Sequence, residues 1–191
     1  MKFLLWIIGL ITIGGIYIVI SQSYPVAFVG WQSISAQNFN DNFNTAVFYY
    51  GKVMETYNKN ATSSIESINS PAVKTEIKRA VMDKSIENIL ILNELEKRLK
   101  NSELDQMVKN KIDEILKGQD IEKQVATIYA LSLNAFKERV LIPEARLEIL
   151  QARLMLENKN FDDWLASAKK QAKVVILVPG LGWNGEGVAV K

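Results

Sequence analysis

Apolar residues run without a charge from Phe3 to Ile20, and the rest of the chain is patterned differently. At about 1.5 Å per residue a helix of that length reaches roughly 27 Å, close to the hydrocarbon thickness of a bilayer. Residues 1–23 therefore read as a transmembrane anchor. Beyond them the apolar positions become periodic. The segment Tyr24–Ser35, YPVAFVGWQSIS, is β-prone and reads as a short strand that passes through an N-cap at Ser35 into a helix. In that helix Phe39, Phe43, Val47, Tyr50, Met54 and Tyr57 recur at helical spacing, which predicts one stripe packed on the core. Phe48 points the opposite way, with Tyr49 on the flank.

Asn58–Ser70 is a polar break, and Pro71 suits the first turn of a long helix reaching about Lys100. Its apolar residues occupy two faces: Val73, Ile77, Val81, Leu92, Leu95 and Leu99 on one, and Met82, Ile86, Ile89 and Leu90 on the other. A helix apolar on two sides is packed on two sides, so this one should be the central spine. Asn101-Ser102 with Glu103 reads as a restart into a third helix that carries Leu104, Val108, Ile112 and Ile115 and stops at Gly118. Asp120 should cap a short fourth helix through about Tyr129, and Ser132 or Asn134 restarts a long fifth. Pro143 inside that fifth helix deletes a backbone hydrogen bond and crowds the preceding turn, which predicts a kink over 139–143.

Asn160 opens a last helix with Asp162 and Asp163 in its first turn and Lys169 and Lys170 in its last, matching the helix macrodipole. Lys173–Val178 then reads as a strand. It should pair with Val26–Val29, because two isolated strands would leave backbone groups unsatisfied. Residues 180–191 read as a flexible tail. The expected fold is mainly α: an N-terminal transmembrane helix, then a helical domain over 24–179 of about six helices, closed by a small two-stranded sheet.

Charge adds orientation. Lys2 precedes the apolar run and the first charge after it is Asp41, so the positive-inside bias keeps the amino end cytoplasmic and places the body outside the cytoplasmic membrane, in a periplasm or at the cell exterior. A cleaved signal peptide ending near Ser21-Gln22-Ser23 is the rival, although the run exceeds a usual signal core. Either way the body is exported.

The 23 basic against 21 acidic residues leave a net charge of +2, too weak a field to recruit nucleic acid. Cysteine and histidine are both absent, which excludes disulfides, thiolate nucleophiles, histidine triads and HExxH zinc sites. No cofactor or metal is expected. Acid pairs such as Asp162-Asp163 and Asp113-Glu114 read as solvated helix faces, and Gly180–Gly187 lacks the Lys-Ser/Thr that a phosphate-binding loop requires. A cell-wall-cleaving enzyme using one glutamate as general acid ranks last, since no glutamate sits in a recognisable context. Phe48 with Tyr49 either meets a second element or stays exposed as an adhesive spot for other chains. Trp31 and Trp183 suit either a partly wet core edge or a recognition surface.

Four segments, taken in order, carry a resemblance: VAFVGWQSISAQNF (Val26–Phe39), the stretch Val81–Ile115, YALSLNAFKERVLIPEARLEILQ (Tyr129–Gln151), and FDDWLASAKKQAKVVILV (Phe161–Val178). Together they resemble the N-terminal chaperone domain of SurA-type periplasmic folding factors. Ile34, Ser35 and Phe39 fit that family's strand-to-helix entry, whereas Gly30-Trp31 stands where the family has Asn-Gly. Members often insert a parvulin-type prolyl isomerase domain after the wrapping helix, and only MLENKN, Met155–Asn160, occupies that place here. The resemblance implies binding of unfolded or partly folded exported polypeptides in a groove between helices, without nucleotide and without isomerase activity. Phe48 and Tyr49 are the candidate peptide contacts. The alternative is a membrane-tethered helical adaptor that docks one fixed partner in the envelope.

Overall fold

The structure, a computed structural model, describes residues 22–57, 68–118 and 120–191. The expected transmembrane helix lies outside the described residues, as does most of the polar break Asn58–Ser70. Among the described residues no helix is long and apolar enough to cross a membrane.

The chain enters through a β-hairpin rather than one strand. β1 (Pro25–Val29) turns at Gly30-Trp31 into β2 (Gln32–Ser35), with Val29 opposite Gln32. Gly30 takes φ +60, the positive angle that a two-residue hairpin loop needs at its first position and that glycine adopts without strain. β3 (Val174–Ile176) pairs antiparallel with the other edge of β1, placing Ala27 opposite Ile176 and Val29 opposite Val174. Gly30 N–H donates to the Lys173 carbonyl at 2.8 Å, and Leu177 N–H to that of Val26 at 2.8 Å. The start and end of the helical domain thus close on each other, as the backbone argument requires. The sheet, however, has three strands in the order β2-β1-β3 rather than two. The β-prone segment Tyr24–Ser35, expected as one strand, is folded into two by the turn at Gly30-Trp31.

Helix α1 (Ala36–Tyr57) begins where Ser35 Oγ accepts the N–H of Asn38 at 3.2 Å. The spine is α2 (Pro71–Arg98), capped by Ser70 Oγ, which accepts Val73 N–H, with proline in its first turn. It joins two cores. Its middle sends Met82 and Ile86 against Val26, Ala27, Val29, Ile34 and Phe39. Its last turns send Ile91, Leu95 and Leu99 against the helices that follow. The two faces meet the two cores only in part: Leu92, Leu95 and Leu99 enter the second core, but Val81 packs with Met82 and Ile86 on the sheet side and Val73 is exposed.

Those helices are α3 (Asn101–Leu116), α4 (Glu122–Tyr129), α5 (Leu133–Phe136), a π-helical turn Lys137–Leu141, and α6 (Ile142–Leu156), the last three continuous. Expected caps at Asn101 and Asp120 are displaced by one residue: Lys100 and Ile121 occupy the cap positions, and neither makes a side-chain cap bond. Ser132 does cap, accepting from Ala135 N–H. The expected kink takes the form of the π turn, in which Ile142 N–H reaches back five residues to the Lys137 carbonyl. Pro143 lacks the N–H that an α-helix would send to residue 139, and widening the turn just before it relieves the crowding of its ring.

Helix α7 (Phe161–Gln171) starts at Asn160, whose Oδ1 accepts the N–H groups of Asp162 at 2.7 Å and Asp163 at 3.2 Å. Asn160→Ala should cost about 1 kcal/mol, read as a lower urea midpoint with unchanged slope.

Residues 180–191 do not form a loose tail. β4 (Leu181–Trp183) and β5 (Val188–Val190) make an antiparallel hairpin whose Leu181 and Val188 are buried in the sheet-side core. Asn184 Oδ1 accepts the N–H groups of Glu186 at 2.9 Å and Gly187 at 2.8 Å, closing the turn. A Cβ on Gly187 would come within 3.2 Å of Asp83 Oδ1. The glycines of GLGWNGEG therefore serve a tight turn pressed against the spine.

Candidate functional site

Helix α1 lies antiparallel along the first half of the spine: its residues 42–49 share a cleft with 81–88, and Tyr50 and Met54 share a hollow with 73–80. The apolar stripe along α1 does not stay in the core. Phe39 is buried and Phe43 half-buried, with Lys78 Nζ 5.5 Å from the Phe43 ring centroid. Tyr50 and Met54, expected to pack inside, are 47 % and 39 % exposed. The physical reason is geometric: the spine's first turns project past the sheet-side core, so Val73 is exposed as well, and among the described residues only Ile68 and Ile77 lie buried beside the end of the stripe. What results is an apolar hollow of about 350 Å³, lined by Tyr50, Met54, Ile68, Val73, Ile77 and Ala80, with Glu76 at its rim. Glu76 is held by Arg79 at 2.6 Å, and that hydrogen bond keeps its carboxyl below the usual range.

Phe48 and Tyr49 sit on different flanks of α1. Phe48 is half-buried and lines a smaller hollow of about 190 Å³ with Val47, Gly51 and Ile68. Lys52 Nζ stands 5.7 Å from its ring centroid while also bridging Glu55 at 2.7 Å. Tyr49 turns toward α4 and stacks on Tyr129, centroids 5.2 Å apart and planes 8° from parallel; Tyr129 in turn packs on Phe136 at 4.9 Å. Burial, then the neighbouring Tyr49, pushes the Tyr129 phenol above its ordinary value. It stays a neutral hydrogen-bonding group across the physiological range.

The Tyr49–Tyr129 stack forms one wall of a cleft of about 200 Å³ that Asn42, Thr45, Asn88 and Arg139 complete. Arg139, presented by the π turn, bridges to Asp41 on α1 at 2.7 Å. Asn88 Oδ1 is buried and accepts no hydrogen bond among the described residues. The surface can thus take apolar side chains in the α1–α2 hollow, beside a cleft whose walls are partly polar. Tyr50, Met54 and Asn88 were not among the expected site residues. For the first two the signal in the chain was the length of the α1 stripe relative to anything available to cover it; for Asn88 there was none.

The two tryptophans separate. Trp183 is half-buried against the sheet-side core, whereas Trp31 is fully exposed at the tip of the first hairpin.

Fold and surface together define a mainly helical domain, closed by small antiparallel sheets, with an apolar seam between its first two helices that is open among the described residues. Comparison with family models, with curated proteins and with solved structures finds no match to this chain.

Proposed function

We propose that this protein is a membrane-anchored extracytoplasmic chaperone that binds unfolded or partly folded exported polypeptides, without nucleotide and without isomerase activity. The observation that carries this reading is the apolar hollow between α1 and α2, where Tyr50, Met54 and Val73 remain open to solvent. The pairing of β1 with β3 is the closure of the two domain ends that the resemblance leads us to expect. Unfolded chains expose apolar side chains at random spacing, and a shallow open hollow accepts many of them weakly. Weak contact lets clients leave without an energy source. Phe48 extends the surface on one flank. Tyr49 contributes through the wall it forms with Tyr129.

The test is aggregation of several unrelated, chemically unfolded proteins diluted into buffer with the full chain in phosphatidylcholine nanodiscs. The wild type should delay aggregation of all of them. Tyr50→Ser with Met54→Ser should weaken client binding about tenfold, since each lost contact is worth roughly 0.7 kcal/mol of apolar burial. Unchanged protection by the double variant would show that the hollow is not the client surface. A wild type that protects none of them, yet retains one envelope partner in a pull-down, would be the adaptor instead.

A further inference from the structure

The first sheet has an inner face, where Ala27, Val29 and Ile34 are buried in the core, and an outer face on which Phe28 is half-buried while Ser33, Val175 and Leu177 stay exposed among the described residues. Directly opposed residues share a face, so Ser33, Phe28 and Val175 form one row across the outer side, with Leu177 two residues beyond Val175. Val175 is 55 % exposed and Leu177 53 %. Trp31, at the tip of the same hairpin, is 103 % exposed, and Tyr24, just before β1, 42 %. Lys173, exposed beside Gly30, adds a basic group at the Trp31 end.

A soluble domain seldom leaves two aromatics and two branched aliphatics uncovered around one short sheet. Where the face sits in the chain identifies what covers it. Gln22 is pinned to the start of α1: its carbonyl accepts Gln37 N–H at 2.9 Å, and its Oε1 accepts from Asn40 Nδ2 at 2.8 Å. The apolar run ends at Ile20, two residues earlier, and two residues span at most about 7 Å. Whatever takes up the run must therefore lie within a few ångströms of the entrance to β1. If the run enters a bilayer, the body has no slack with which to stand away from it.

We propose that the outer face of the β1–β2–β3 sheet lies against the membrane, with Trp31, Tyr24, Val175 and Leu177 in the interfacial layer and Lys173 at the headgroups. This rests on the anchor reading of residues 1–23. Tryptophan and tyrosine rings favour that layer because one edge is apolar and the other hydrogen-bonds, and lysine favours an anionic surface. Docking would orient the domain, fixing which way the α1–α2 hollow faces.

The absence of cysteine makes the test direct, since a single introduced cysteine is the only labelling site. Three full-length variants, Ser33→Cys on the outer face, Asn110→Cys on α3 and Ile11→Cys within the apolar run, are nitroxide-labelled and reconstituted in vesicles of phosphatidylcholine and phosphatidylglycerol. Accessibility to oxygen, which concentrates in lipid, is compared with accessibility to a water-soluble nickel complex. The expected result is oxygen dominance at position 11, an intermediate ratio at 33 and nickel dominance at 110. A ratio at 33 equal to that at 110, with 11 in lipid, overturns the docked face and leaves the anchor standing. Nickel dominance at 11 overturns the anchor and the docking together. Trp31→Asp in the Ser33→Cys background should move the ratio at 33 toward that of water; if it does not, Trp31 is no part of the contact.

Discussion

A chain ending at Pro179 is expected to lose about 4 kcal/mol of stability, although the residues removed form only a short glycine-rich hairpin. Leu181 and Val188 are 3 % and 4 % exposed, and each buried side chain of this kind contributes roughly 1.5–3 kcal/mol. The deletion also strips the spine of two contacts, Val188 N–H donating to Asp83 Oδ1 at 3.1 Å and Arg79 donating to the Val188 carbonyl at 3.4 Å. It reopens the core around Met82 and Ile86, both fully buried. Urea unfolding followed by circular dichroism measures the loss. Full-length stability in the truncated chain would mean that the hairpin is not part of the core.

The second large effect centres on Lys169, a buried charge on α7. Its Nζ lies 2.6 Å from Glu87 and 3.3 Å from Asp83, two carboxylates one helical turn apart on the spine. Lys169→Met keeps the length of the side chain and removes the charge, leaving those carboxylates facing each other in a partly dry pocket. Deleting one member of a buried ion cluster costs about 3–5 kcal/mol, mostly because the remaining charges lose their compensation. Adding Glu87→Gln should restore a good part of the loss, which a double-mutant cycle measures. By contrast, removing exposed Lys109 from its bridge to Asp113 should change stability by less than about 0.5 kcal/mol.

The pH dependence has a definite sign. Burial pulls the Lys169 ammonium down, but the hydrogen bond and charge of Glu87, with those of Asp83, outweigh it and hold the group above the ordinary lysine value. A pKa raised on folding contributes stability in full below the unfolded value of about 10.4, and that contribution fades as pH climbs through the native value. The difference in stability between wild type and Lys169→Met should therefore stay constant from neutrality to about pH 10 and narrow above it. A difference that narrows toward acid pH instead, with none at the alkaline end, would contradict the assignment.

Helix ends were legible from the chain because their signals act within one turn. Ser35, Ser132 and Asn160 each cap a helix through a bond to an N–H two or three residues on, and Pro143 reshapes the turn immediately before it. The pairing of the two ends of the helical domain was legible for a related reason. Two short β-prone segments in a helical chain need partners for their backbone groups, and each edge of β1 finds one, β3 among them.

The rest depended on residues far apart in sequence. The last twelve residues, read by composition as a tail, fold back because Asp83, 105 residues earlier, offers an acceptor and the Met82–Ile86 surface needs a cover. Periodicity placed Tyr50 and Met54 on the same stripe as Phe39, yet it cannot say where the opposing layer ends, and that decides which of them are buried.

By itself, then, the sequence determined most of the helices, the caps at Ser35, Ser132 and Asn160, the two-sided spine and the absence of thiol and imidazole chemistry, all of which follow from side-chain identity and local spacing. Only the tertiary structure decided which apolar surface stays open between α1 and α2, which three charges meet at Lys169, and which face of the first sheet is left bare. Those outcomes depend on how elements pack, and burial is a property of pairs of surfaces that no single stretch of chain contains.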